Sequence, residues 1–144
     1  SRRIVLSRQL ARETAFKMIF QMDVGKNPLE MAEYTMEEAL IDGDISKGEC
    51  KYILTLVSGV SKKKEELDEF MEAYSKGWAL DRINHIEKSI IRLALYEIRY
   101  MDIPYEVSVN EAVELAKRYG EEEAYSFVNA ILDNARPKKK DEEK

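Results

Sequence analysis

Residues Ile103 to Leu132, IPYEVSVNEAVELAKRYGEEEAYSFVNAIL, decide the fold class. Pro104 enforces a break, because it lacks the amide that a helix interior needs. Ser108 and Glu111 then stand three residues apart ahead of an apolar pattern. That spacing predicts a capping box, in which hydroxyl and carboxylate each satisfy an orphan amide of a first turn. Gly120 stops this helix, and a further one is predicted from about Glu121 to Ala135. Its leading acids suit the positive end of the helix dipole, and Ala124, Phe127, Val128, Ile131, Leu132 and Ala135 share an inner face.

The same punctuation extends backwards through the chain. Ser7 caps a first helix over residues 7–22, with Ala11, Ala15, Met18, Ile19 and Met22 as its apolar stripe. Pro28 opens a second helix that Gly43 ends. Ser46 opens a third, with Tyr52, Ile53, Leu56, Val57 and Val60 inward and a bend or break expected at Gly59 and Ser61. Leu67, Phe70, Met71 and Tyr74 mark a fourth, stopped by Gly77. Asp81 caps a fifth that runs to about Met101. Its Ile83, Ile86, Ile90, Ile91, Leu93, Ala94, Leu95 and Ile98 cover so much of the circumference that a central position follows. The reading is all-α, about seven helices, with Trp78-Ala79-Leu80 as the seam of a single domain over residues 1–144. Residues 1–77 form an N-terminal half and 78–136 a C-terminal one. The lysine-rich tail, 137–144, is expected to be disordered.

A chain of 144 residues with 44% hydrophobic content can bury one core. Its net charge of −5 is unevenly spread: +4 over the first twenty residues, +2 from Arg136 onward and −11 between them. A basic end for a polyanion and an acidic body for a basic protein are thus joined in one molecule. Cys50 is the lone cysteine and His85 the lone histidine, so neither a disulfide nor a multi-histidine zinc site is expected. Neither a phosphate-binding GxxxxGK[ST] loop nor a GxGxxG turn is present, so no cofactor is expected. No apolar run approaches the roughly 20 residues of a bilayer span, which points to a cytoplasmic location and no membrane partner.

On the first helix Arg8, Arg12, Phe16 and Phe20 follow at four-residue steps, aligning two guanidiniums with two rings. Guanidinium grips phosphate and rings stack on unpaired bases, which suits RNA. The pattern equally describes core rings beside surface charges. Lys88, Arg92 and Arg99 form a second basic stripe on the fifth helix, an RNA track or a solvated face. Glu87 and Glu97 lie in the same apolar helix, where a carboxylate needs a partner; no complementary group for acid–base chemistry accompanies them. A structural ion pair or a contact to a basic partner is the expected role.

The phrases Ile103-Pro104, Asn110-Glu111-Ala112-Val113-Glu114-Leu115-Ala116-Lys117 and Phe127-Val128-Asn129 resemble the end of the NusB family of bacterial transcription antitermination factors. Ala11-Arg12-Glu13, Leu56-Val57-Ser58-Gly59-Val60, Leu67-Asp68 and the run from Glu87 to Ile98 extend the resemblance, in order, over nearly the whole chain. It implies two helical bundles, three helices then four, and no catalysis. It also implies pairing with the small ribosomal subunit protein NusE, binding of boxA RNA, and action with other Nus factors on RNA polymerase. By position it places RNA contact at Arg8, Arg12, Arg92, Tyr119, Glu123 and Phe127, and NusE contact near Phe20, Asp81 and Glu87. Arg2 and Arg3 stand farther upstream than the arginine run of that family. Alternatives are an RNA-guiding domain for a ribosomal RNA methyltransferase, a protein-only scaffold, and a homodimer in the absence of NusE.

Overall fold

The computed structural model describes residues 2–26, 28–76 and 82–137, with side chains from Ser7 onward. Seven helices carry these residues: α1 Arg2–Val24, α2 Pro28–Ile41, α3 Lys47–Lys62, α4 Lys64–Tyr74, α5 His85–Tyr100, α6 Tyr105–Tyr119 and α7 Ala124–Asn134. Among the described residues no strand occurs, and no helix is long and apolar enough to cross a membrane. Helix α1 packs on α2 and α3, while α5 packs on α1, α3, α4, α6 and α7. Helix α5 buries Ile90, Ile91, Leu93, Ala94 and Leu95, the central position that its broad apolar face predicts. Trp78, Ala79, Leu80, Gly77 and Asp81, and the tail from Lys138, lie outside the described residues.

Helix α1 begins earlier than the expected Ser7, since nothing in Arg2–Leu6 opposes a helix. Ser7 is therefore interior, and its hydroxyl donates to Glu49 on α3 at 3.4 Å. Gly43, just past α2, takes the left-handed conformation at φ 80° that favours glycine.

Helix α5 starts at His85, not at Asp81. Its cap is Asn84, whose side chain accepts from the Glu87 amide at 2.8 Å while Glu87 accepts from the Asn84 amide at 3.4 Å. The capping-box signature thus lies at Asn84 and Glu87. The box expected at Ser108 and Glu111 does not form: α6 begins earlier, at Tyr105 behind Pro104, and Ser108 is buried inside it with its hydroxyl donated to Glu97 at 3.1 Å. Proline serves as the stop and start signal, which frees the serine for a tertiary bond.

Helix α3 runs unbroken through Gly59, contrary to the expected bend. The glycine instead admits Tyr96 of α5: a Cβ at residue 59 would collide with the Cζ and the hydroxyl oxygen of Tyr96. Gly59→Ala is expected to destabilise the fold by about 1–3 kcal/mol through overpacking, with recovery when Tyr96→Leu is added. Urea unfolding of the two variants checks this; equal midpoints for wild type and Gly59→Ala would contradict it.

Candidate nucleic-acid interface

Three clusters gather the polar residues singled out in the sequence. The first is internal. Arg12 is 3% exposed and Glu97 0%, and the Arg12 guanidinium reaches Glu97 through Nε at 3.0 Å and Nη2 at 2.9 Å. Glu97 also accepts from Ser108 and from the Tyr52 hydroxyl. Burial first, then the charge of Glu97, push the Tyr52 phenol up and keep it a donor. Burial works against the Arg12 charge, but Glu97, Tyr52 and Glu111 together outweigh it and raise the guanidinium. Arg12 thus differs from Arg8 on the expected stripe: its partners turn it inward to join α1, α3, α5 and α6.

The second cluster ties α1 to α4 and α5. Arg92 is buried and grips Asp68 with Nε at 2.7 Å and Nη2 at 3.1 Å, with Asp23 3.4 Å from Nη1. Asp23 also accepts from Lys64 at 3.0 Å and His85 at 2.6 Å. The stripe expected at Lys88, Arg92 and Arg99 therefore divides. Arg92 points into the protein, Lys88 is half-buried, and exposed Arg99 stacks 3.7 Å over the Phe70 ring. Burial opposes the charge on Asp23, yet the hydrogen bonds from His85 and Lys64 and the nearby Arg92 hold its pKa down to about 2. A carboxylate lowered on folding stabilises the protein above its unfolded value near 3.8, and that contribution fades as pH falls towards 2. Asp23→Asn is expected to flatten the acid limb of stability between about pH 4 and pH 2, measured by denaturant midpoints against wild type.

The third group is at the surface of α1, in two places: Arg8 faces α3, and Lys17 faces α6. Arg8 is partly exposed, lies 3.9 Å over the Tyr52 ring and pairs with Glu49 at 3.1 Å. Phe16 is buried, its ring 5.1 Å from Tyr119 and 6.4 Å from half-buried Phe20. Lys17 stands 5.9 Å over Tyr119, and exposed Arg118 pairs with Glu13 across the seam. Lys117 lies 5.4 Å from the Tyr125 ring. Lys17 and Lys117 beside the accessible rings of Tyr119 and Tyr125 supply the chemistry that holds phosphates and stacks bases, whereas Tyr52 is buried beneath Arg8. Spacing along the sequence does not single out Lys17, Lys117 and Arg118; the Lys117-Arg118-Tyr119 triplet ahead of Gly120 is the signal that could have found them. Arg2 and Arg3 belong to α1, but their side chains lie outside the described ones.

Glu123 and Phe127 sit elsewhere. With Glu87, Arg82, Glu121 and Glu122 they line an open groove of about 530 Å³ between α5 and α7. Burial and the adjacent Glu121 raise the Glu87 carboxyl, against the bond from the Asn84 amide. The groove has an acidic rim and an apolar floor, so it suits a cationic protein side chain better than a phosphate. Phe20 is not among its lining residues, and Asp81 lies outside the described ones.

Comparison with known proteins places this geometry. Residues 9–137 match the NusB family. The transcription antitermination protein NusB of Acetivibrio thermocellus is 43% identical over 128 residues, covering 88% of this chain and 86% of that protein. The Bacillus subtilis protein of the same name is 40% identical over 131 residues, covering 90% and 94%. Among solved structures, T. maritima NusB superposes with a TM-score of 0.80 at 30% identity, covering 94% of this chain and 96% of that one. A chain from the crystal structure of antitermination factors NusB and NusE in complex with dsRNA superposes at 0.76 and 29% identity, covering 88% and 93%. The chain belongs to the NusB family.

Proposed function

We propose that the protein is a transcription antitermination adaptor of the cytoplasm that binds boxA-type RNA in a heterodimer with NusE and suppresses termination on ribosomal RNA operons. The observation that carries this reading is the separation of charge on two surfaces. Lys17 and Arg118 stand beside Tyr119 and Lys117 beside Tyr125, with Arg8 on the α3 side of α1, while Glu87, Glu121, Glu122 and Glu123 rim the groove between α5 and α7. The first surface suits a polyanion and the second a basic ribosomal protein. A relative of this fold occurs with both NusE and double-stranded RNA.

In this reading the RNA lies on Arg8, Lys17, Arg118 and Tyr119, extended by Arg2 and Arg3 at the head of α1. Arg12, Phe16 and Arg92 act from beneath it by holding the helices in register. Glu87, Glu123 and Phe127 receive NusE, with Phe20 and Asp81 as further candidates. The protein works by binding and not by catalysis, since its most buried carboxylate, Glu97, is consumed by Arg12, Tyr52 and Ser108. Recruitment of other Nus factors and RNA polymerase follows from the bound RNA.

Fluorescence anisotropy with a boxA oligonucleotide, with and without NusE, tests the proposal. Binding is expected to be weak alone and stronger in the heterodimer, and Glu87→Lys is expected to lower NusE co-purification. A heterodimer with no preference for boxA over a scrambled sequence would overturn it.

A further inference from the structure

Helix α2 uses only one side. Ala32 is buried, and Met36, Ala39 and Leu40 pack against the core from the same inner face. On the opposite side Met31, Tyr34, Glu38 and Ile41 follow at three- and four-residue steps and so share one face. Met31, Tyr34 and Ile41 are 47%, 58% and 81% exposed. A single exposed apolar side chain is ordinary, but a row of them along one helix marks an interaction surface.

The charge around the row identifies the occupant. Between Lys26 and Lys47 the chain carries Glu30, Glu33, Glu37, Glu38, Asp42 and Asp44 and no basic residue. Glu38, Asp42 and Asp44 continue into an open groove of about 210 Å³ between α1 and α2, which Glu13 and Lys17 line from α1. The acids of α2 itself, with no base among them, disfavour RNA and anionic lipid there, and a second copy of this chain would set the same acids against one another. A protein segment rich in lysine and arginine, with apolar side chains at helical spacing, satisfies both the row and its rim.

We propose that the outer face of α2 is a docking surface for a basic amphipathic protein segment, separate from the groove between α5 and α7. The two surfaces lie on different helices, so the adaptor holds a second basic protein while its acidic groove is filled. This second contact extends the assembly beyond RNA and one ribosomal protein.

The test is a titration of the isotope-labelled chain, followed by amide shifts, with a helical peptide bearing leucines at three- and four-residue spacing flanked by lysines. Shifts are expected at Met31 to Asp42. Tyr34→Ala with Ile41→Ala is expected to weaken the peptide by about tenfold or more, because truncated anchors carry most of such an affinity. Glu37→Lys with Glu38→Lys is expected to weaken it further in low salt, and boxA binding is expected to stay unchanged in the Tyr34→Ala, Ile41→Ala variant. Tyr34 and Ile41 are exposed, and thermal melts of the variants verify that the fold is retained. The proposal fails if the shifts map to Glu87 and Glu123, or if Tyr34→Ala with Ile41→Ala leaves affinity unaltered. It also fails if peptides with leucine replaced by serine, or lysine by glutamate, bind equally. Sedimentation showing self-association through α2 would overturn it in favour of a second copy.

Discussion

Arg12→Ala is expected to lower the stability of the protein by about 3–5 kcal/mol, because it leaves the Glu97 carboxylate buried without its charge partner. Ser108 and Tyr52 still donate to it, but two neutral bonds do not replace a guanidinium that contacts both carboxylate oxygens. For a chain of this size the effect corresponds to a fall in Tm on the order of 10 °C. Glu97→Gln is also expected to be destabilising, since it leaves the buried arginine with only the more distant Glu111, at 3.7 Å, as a charge partner. Replacing both residues by methionine removes the two buried charges together and is expected to restore most of the stability. Calorimetry on the three variants checks the set. A double variant as unstable as the worse single one would show that shape, and not charge, governs the site. The restored double variant also decides the role of Arg12 in RNA binding: retained affinity makes it a positioning residue, whereas abolished affinity makes it a direct contact.

The second large effect is expected on RNA. Arg8→Ala, Lys17→Ala and Arg118→Ala together remove three solvent-accessible cations, Arg8 on the α3 side of α1 and Lys17 and Arg118 on its α6 side. Each phosphate that a protein cation no longer neutralises reduces the steepness of log affinity against log salt by about 0.7–0.9, so the triple variant is expected to be shallower by roughly 2–3. Affinity in the heterodimer is expected to fall on the order of 100-fold, given the strength of charge-assisted hydrogen bonds. Lys51→Ala, Lys62→Ala and Lys63→Ala remove the same charge from exposed positions on or beside α3 and serve as the control. If both triples weaken RNA equally, net charge explains the binding and the surface is not a site. Arg8 pairs with Glu49, and Glu13 pairs with both Lys17 and Arg118. Glu13→Gln is therefore expected to raise affinity several-fold by releasing two cations.

Helix faces were legible because burial follows a local period. Ala11, Ala15, Ile19, Ile53, Leu56, Ile90 and Val128 all face inward as spacing predicts. Helix starts were less legible. Asn84 and Ser108 both precede an acid by three residues, and only the first caps a helix, since Pro104 had already begun the second. Gly59 read as a breaker because glycine carries the same symbol whether it ends a helix or admits a neighbour. Only the position of Tyr96, on a helix far along the chain, separates the two roles.

Residue order alone establishes an all-α fold, the central fifth helix, the uneven charge and, through the ordered phrases from Ala11 to Asn129, the resemblance to a family. These properties follow from local succession and helical period, which need no knowledge of neighbours. Which charges are free to bind is settled only by the packing of helices. Arg8 and Arg12 lie one turn apart on the same helix, yet Arg8 stays at the edge above Tyr52 while Arg12 closes on Glu97, 85 residues away. Glu123 and Phe127, grouped with RNA by position, line an open groove together with Glu87 of a distant helix. A helical wheel gives the direction of a side chain but not what stands opposite, and the energy of a charge depends on that neighbour and on the water it excludes.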